Sequence, residues 1–192
     1  MLLENYLFLD IEASGLHPDS YPIQIGIAWP NMSIDSQQFL IRPVKEWTYW
    51  SREAEAVHGF SLDECRRDGV TVIEAVERLE SLVAGRFVHS DVVAWDDFWL
   101  NQLYAAAGRE RSFALHDVWD AYGAAVHSLG HVVDPYHLCS QCLEWASRPY
   151  PHTHKADDDA RFQAAAMRAI VDSEFRNEIK RQYELATSMR QR

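Results

Sequence analysis

The sequence predicts an α/β fold, a single domain over residues 1–192 with a mixed central sheet flanked by helices. The length of 192 residues fits one domain, and no linker, repeat or low-complexity stretch divides it. An apolar share of 47% is enough for a sizeable core. The periodic segments follow the order β-β-β-α-β-α-β-α, and this interleaving of strands with helices predicts a mixed sheet.

Three strands are expected near the N-terminus. Residues 6–9 are continuously apolar, which is typical of a central strand buried on both faces. A second strand alternates over 23–29, and a third runs from about 34 to 41. The short gaps between them favour antiparallel pairing.

Helices dominate after Pro43. Ser61 and Thr71 each precede a glutamate by three residues, which is the spacing of a capping box at a helix start. We also expect helices over about 96–107, 118–126, 135–147 and from 156 onwards, with strands at about 86–90 and 113–115. A last helix to about residue 187 precedes a frayed tail.

Composition limits the classes of partner. The formal net charge is −11, from 18 Lys+Arg against 29 Asp+Glu, and no basic run is longer than a pair. Tight, unspecific coating of long duplexes is disfavoured because it needs a basic patch, whereas a local site that holds cations stays open. No stretch is apolar enough to span a membrane. Three cysteines and the absence of a visible secretory signal predict a reducing, cytoplasmic setting.

Asp10 and Glu12 continue the most apolar strand. Their spacing of two places both carboxylates on one face of that strand. Adjacent carboxylates repel each other, and hard divalent cations such as Mg²⁺ or Mn²⁺ would compensate that repulsion. The alternative is that the strand ends at Leu9 and that both acids are solvated.

Two more acids stand at helix starts. Asp159 borders the stripe that the helix from residue 156 buries, although acids at a helix N-terminus also complement its dipole. Asp96 and Asp97 open the helix after the fourth strand, where one of them either caps that helix or faces Asp10 over the sheet.

His154 precedes Asp159 by five positions. On one helix this separation turns about 140°, away from a shared face. The two side chains therefore meet only if His154 lies in the loop after Pro151. A histidine beside bound water is a suitable general base, although a loop histidine taken alone is more often a surface residue.

In this order the segments resemble the motifs of the DEDDh superfamily of 3′→5′ exonucleases, whose fold is ribonuclease-H-like. The resemblance covers about residues 5–172. The matching segments are FLDIEASGL at 8–16, the apolar strand at 23–28, VHGF at 57–60, WDDFWL at 95–100 and HKADDDA at 154–160. The last two segments select Asp96 over Asp97, and Asp159 from its run of three acids.

The second motif departs from the commonest pattern. Many members have a histidine five residues before the aspartate, whereas His89 lies seven residues before Asp96. The segment is similar to a bacterial branch that has Ser-Asp at this place. His89 therefore receives no role, and Asp91 is a candidate for a supporting role only.

The resemblance implies two-metal hydrolysis of the terminal phosphodiester at the 3′ end of single-stranded or short RNA or DNA, with release of nucleoside 5′-monophosphates. The implied ligands of two Mg²⁺ or Mn²⁺ ions are Asp10, Glu12, Asp96 and Asp159. The resemblance also implies that His154 accepts the proton of the attacking water.

The same resemblance implies a set of substrate contacts. They are Ser14, Gly15, Leu16 and His58, with Leu16 as a wedge against the terminal bases. For Leu16 the alternative is a buried turn residue. The competing function is a catalytically silent nuclease-like module that binds nucleic acid or a protein partner. That module would lack one of the acids or His154, whereas all five are present. A homo-oligomer stays open.

Two weaker signals lie outside these motifs. Residues 46–50 are unusually aromatic, and Trp50 would either stack on unpaired bases or help to cover one end of the core. Cys139 and Cys142 have zinc-like residue types, with His131 and His137 nearby. A structural zinc site needs four convergent ligands, and the cysteine pair also fits a buried helix face.

Overall fold

A computed structural model describes residues 3–190, which form a five-stranded sheet with helices on both faces. The strands are β1 (Tyr6–Ala13), β2 (Pro22–Ala28), β3 (Ser36–Leu40), β4 (Phe87–Ser90) and β5 (Leu115–Asp117). Their order is β3-β2-β1-β4-β5, in which β1 pairs antiparallel with β2 and parallel with β4. The predicted mixed α/β sheet with a central first strand is confirmed. Because β1 continues to Ala13, the alternative in which it ends at Leu9 is wrong.

The helices are α1 (Arg52–His58), α2 (Leu62–Asp68), α3 (Val72–Val83), α4 (Val93–Ala107), α5 (Val118–Ser128), α6 (Pro135–Ala146), α7 (Ala156–Val171) and α8 (Ser173–Arg190). The seven-residue α1 was not predicted, because it is too short to show a helical period. Helix α8 continues beyond the predicted end near 187, and residues 191 and 192 of the predicted frayed tail lie outside the described range. Within residues 3–190, none of the helices combines the length and apolarity that crossing a bilayer requires.

The two faces of β1 differ in chemistry. Leu7, Leu9 and Ile11 enter an apolar cluster with buried residues of α3 and α4. Phe8 points to the opposite face and enters the cluster that contains the buried side of α7. Asp10 and Glu12 share the parity of Phe8, so the strand directs both carboxylates to the face that α7 covers.

The start of helix α7 packs directly against the backbone of Gly26, which lies opposite Asp10 in the β1–β2 register. A Cβ atom at Gly26 would be 1.9 Å from the carbonyl carbon of Ala156, so a larger residue would push the first turn of α7 off the sheet. The side chain of the buried Gln24 accepts the N–H of Ala156 at 3.0 Å. These two β2 residues set the start of α7 beside β1.

The cysteine pair of α6 is part of the core. Cys139 and Cys142 are buried in the cluster formed with α5, α7 and α8. Burial raises the pKa of both thiols, that of Cys142 to about 12, which disfavours the thiolate that zinc binds. The structure thus shows the buried helix face that the sequence offered as the alternative to zinc.

Candidate active site

Carboxylates from several elements converge at the C-terminal part of β1. Oxygen atoms of Asp10, Glu12 and Asp159 lie within 4.8 Å of one another, and so do those of Asp10, Asp91 and Asp96. Asp10 belongs to both groups. The four acids that the sequence singled out are therefore close together in space, and Asp91 joins them.

Two of these acids lie in the first turn of a helix. Asp96 and Asp159 are each the fourth residue of their helix, α4 and α7, and each is almost fully buried. Asp96 accepts a hydrogen bond from the hydroxyl of Ser90, and Asp159 accepts the N–H of Thr153 at 2.8 Å. The interpretation of Asp96 as a helix cap is wrong, because α4 begins three residues earlier and its N-cap is Val92.

The site concentrates negative charge in a poorly solvated place. Burial, followed by repulsion from neighbouring carboxylates, raises the pKa of Asp10 well above its usual range and that of Glu12 to about 7. Burial likewise raises the pKa of Asp96 to about 8, against the lowering effect of its hydrogen bond from Ser90. Within residues 3–190, no lysine or arginine nitrogen lies within 4.0 Å of a carboxylate oxygen of the five acids. A cation would relieve this repulsion.

His154 lies in the loop before α7, where the sequence argument requires it, and has a left-handed backbone with φ of 57°. Sequence reasoning missed a second histidine in this loop, His152, whose Nδ1 is 2.7 Å from Oδ1 of Asp159. The two imidazole centroids are 4.8 Å apart, and both side chains share a group of mutually close ligand atoms with Asp159. The H-x-H spacing directly before an acidic helix start was the available signal.

A cleft of about 550 Å³ adjoins the carboxylates. It is lined by Glu12, Gly15, Leu16, His58 and His154, among others. A smaller space of about 310 Å³ continues from it to the remaining acids and shares Leu16 and His154 with it. Leu16 stands at this junction and is 73% exposed, so the alternative of a buried turn residue is wrong.

The other predicted contact residues differ in their access to the cleft. Gly15 has a φ of +149°, and a Cβ there would lie 2.8 Å from the ring of Tyr49, which also lines the cleft. Ser14 is fully buried, and its hydroxyl accepts the N–H of Tyr21. Trp50 is not among the lining residues, because its indole packs on the small cluster around Tyr21. Its position fits the covering role that the sequence offered as the alternative to base stacking.

His58 ends α1 and is 2% exposed at the wall of the cleft. Burial and the nearby Lys155 ammonium lower the pKa of His58 to about 4, so the ring is neutral at pH 7. Its Nδ1 accepts the N–H of Phe60, which leaves Nε2 as the protonated nitrogen. No acceptor for Nε2 occurs among the described residues.

The architecture is a ribonuclease-H-like fold, as the sequence predicted. Among solved structures that share it, a complex of E. coli exonuclease I with a dT13 oligonucleotide has a TM-score of 0.61 at 16% identity over 89% of this chain. A zinc-bound form of the E. coli exonuclease I complex with single-stranded DNA has a TM-score of 0.60 at 19% identity over 88% of this chain. A product-bound exonuclease I has a TM-score of 0.59 at 17% identity over 92% of this chain.

This chain spans 40–45% of the length of those three proteins. No protein-family model matches the sequence, and no curated protein matches it. At these identities the likeness establishes the fold alone.

Proposed function

We propose that this chain is a metal-dependent 3′→5′ exonuclease of the DEDDh type, which shortens single-stranded or short nucleic acid and releases nucleoside 5′-monophosphates. The observation that carries the proposal is the presence of two groups of close carboxylate oxygens at the edge of an open cleft. One group comes from Asp10, Glu12 and Asp159, the other from Asp10, Asp91 and Asp96, so Asp10 belongs to both. The exonuclease I complexes with single-stranded DNA support the same class of substrate.

The donor set fits two hard divalent cations, Mg²⁺ or Mn²⁺. It consists of carboxylate oxygens, which such ions prefer, and Asp10 would help to hold both ions because it belongs to both groups. We assign Glu12 and Asp159 to one ion and Asp96 to the other. When bound, a pair of such ions supplies an activated water and neutralises the charge that develops on the leaving oxygen.

The loop before α7, which contains His152 and His154, would supply the group that accepts the proton of the attacking water. We assign His154 as the general base, because it lines both parts of the cleft and lies beside Asp159 without the direct contact that His152 makes. An imidazole is the side chain best suited to exchange protons near neutral pH. His152 is the alternative candidate for the general base, because it also lies beside Asp159.

The cleft would receive the last nucleotides of the strand. We assign the exposed Leu16 to stacking against the terminal base, with Gly15 leaving room for the close approach of Tyr49. The buried Nε2–H of His58 would donate to a polar atom of the terminal nucleotide, which satisfies an otherwise unpaired donor. Ser14 would act indirectly, by fixing the turn that carries Leu16.

We further propose that residues 1–192 form one exonuclease domain. We place this domain in the cytoplasm, since its three cysteines are free and buried. RNA and DNA both remain substrates in the proposal, because no side chain has been assigned to the 2′-hydroxyl that distinguishes them.

The test is digestion of 5′-labelled single-stranded DNA and RNA of matched sequence, with Mn²⁺ or with a chelator. We expect progressive shortening from the 3′ end that needs the cation, and loss of it in Asp10→Ala. The matched control is Asp97→Ala, which removes a neighbouring acid whose carboxylate pairs with Arg111. Activity that survives in Asp10→Ala would contradict the proposal, and binding without cleavage by the unmodified protein would favour the silent module.

The two histidines form a second matched pair. We expect His154→Ala to lower kcat strongly at unchanged KM, with an altered dependence of the rate on pH. His152→Ala should keep most of the rate. The opposite ranking would transfer the role of base to His152 without affecting the metal assignment.

A further inference from the structure

We infer that Asp91 is a fifth carboxylate ligand, on the side of the site where Asp10 and Asp96 meet. The inference rests on the proposed function, since it concerns the cations assigned above. It extends the four-acid set that the sequence motifs define and gives Asp91 a direct contact instead of a supporting role.

The register of the sheet places Asp91 beside Asp10. Strand β4 runs parallel to β1, with Phe8 opposite His89. Two residues further along are Asp10 in β1 and Asp91, the first residue after β4, so the two acids lie side by side at the C-terminal end of β4. Their oxygens and those of Asp96 lie within 4.8 Å of one another.

The orientation of Asp91 is set from the core. The buried Tyr122 hydroxyl donates to Oε1 of Gln163 at 2.5 Å, so the amide nitrogen of Gln163 faces away from the phenol. That nitrogen donates to Oδ2 of Asp91 at 2.9 Å. A fixed amide thus holds one oxygen of an otherwise exposed aspartate, as expected for an outer partner of a metal ligand.

The other oxygen of Asp91 is available. Among residues 3–190, no protein group donates to its Oδ1, and no lysine or arginine pairs with the carboxylate. Without a cation, the charge of Asp91 repels the neighbouring acids, since it contributes to the raised pKa of Asp10 and of Asp96. With a cation between the three acids, the same charge becomes favourable.

The experiment uses Tb³⁺ as a hard, oxygen-seeking probe, with emission sensitised by Trp95 in the same part of the cleft. Titration gives affinity, and luminescence lifetimes in H₂O and D₂O give the number of water molecules on the bound ion. We expect Asp91→Ala to weaken binding about tenfold and to add about one water, because a ligand lost from a flexible oxygen shell is replaced by solvent.

The control is again Asp97→Ala, which removes the same charge from a residue of α4 that belongs to neither group of carboxylate oxygens. If Asp91→Ala matches this control in affinity and water count, the inference is overturned while the proposed function stands. If the unmodified protein binds neither Tb³⁺ nor Mn²⁺, the proposed function itself fails. Should Asp91→Ala be misfolded by circular dichroism, Asp91→Asn takes its place, with weaker binding expected and unchanged binding overturning the inference.

Discussion

Helices α4 and α7 begin differently from the helices around them. Helices α1, α2, α3, α5 and α6 each have a Ser, Thr or Asp at the N-cap whose side chain accepts a backbone N–H of the first turn. Helices α4 and α7 have Val92 and Lys155 at that position, with no side-chain cap. The uncapped pair consists of the two helices that bring Asp96 and Asp159 to the site.

The difference lies in what stabilises the first turn of each helix. A capped helix satisfies its own first turn locally, whereas α7 has the N–H of Ala156 satisfied by Gln24 from the neighbouring strand. The position of α7 therefore depends on the sheet and not on its own N-cap. Such a start costs local stability but fixes Asp159 relative to Asp10.

The largest expected effect is the loss of activity in Asp96→Asn. We expect the hydrolysis rate to fall by about 10²–10³-fold or more, as when a group that stabilises transition-state charge is removed. The Tm in chelator should stay the same, because the raised pKa of Asp96 already favours the neutral form and the amide oxygen still accepts from Ser90. A fall in Tm as large as the one expected next for Gly26→Ala would mean that Asp96 acts mainly in folding.

The second prediction concerns Gly26, where the first turn of α7 packs against the sheet. Gly26→Ala should destabilise the protein by about 3 kcal/mol, at the upper end for overpacking, which is a Tm decrease of about 10 °C in a domain of this size. Cation affinity should fall with it, because Asp159 moves away from Asp10. The control is Gly123→Ala in α5, where nothing lies within 4 Å of the new Cβ, and a gain of about 0.5–1 kcal/mol is expected. Equal thermal melts for the two variants would contradict this account.

The third prediction is a pH dependence of stability that has opposite signs for the acids of the site and for the acid that caps α2. The raised pKa of Glu12, about 7, and of Asp96, about 8, means that the folded protein binds more protons than the unfolded chain above pH 4. Stability of the metal-free protein should therefore fall from pH 6.5 to 8.5, by about 5 °C in Tm. Saturating Mn²⁺ at pH 8.5 should restore it. The lowered pKa of His58 acts in the opposite direction, since it makes stability rise with pH, but most of that rise is complete by its ordinary pKa of 6.5.

The capping acid Glu64 of α2 should behave in the opposite way. Its hydrogen bonds from Ser61 lower its pKa, so its contribution is present above its ordinary pKa and is lost as the pH falls below it. A metal-free melting temperature that does not change between pH 6.5 and 8.5 would show that burial and repulsion do not raise the pKa of the site acids.

The smallest expected effect is that of Ser61→Ala, which removes the cap of α2. We expect a loss of about 1 kcal/mol, or about 2–4 °C in Tm, with unchanged hydrolysis and cation affinity. A change in activity would show that α2 is coupled to the site and would weaken the distinction between the two kinds of helix.

The sequence predicted best where the signal is local. The period of two that places Asp10 and Glu12 on one face can be found without a structure, and so can the capping box at Ser61, whose two hydrogen bonds are both present. The start of α4 was misplaced because Val92 carries no capping signal. The neighbourhood of Asp91 depends on the parallel register of β1 and β4, which no local pattern encodes.

Close approach was also beyond the sequence. A glycine in a buried strand is a general sign of nearby backbone, but only the packed structure identifies the first turn of α7 as the neighbour of Gly26. The contact between His152 and Asp159 likewise depends on the path of the loop. The roles assigned to the site residues stay predictions until the variants above are measured.

The shared position of Asp10 has a consequence for how this protein responds to its surroundings. Since Asp10 belongs to both groups of carboxylate oxygens, cations bound there would not bind independently, and the ionic composition of the buffer would be linked to folding. On the proposed function, resistance to heat and proteases would rise and fall with free magnesium or manganese. Stripping these ions during purification would then shorten the lifetime of the enzyme as well as silence it.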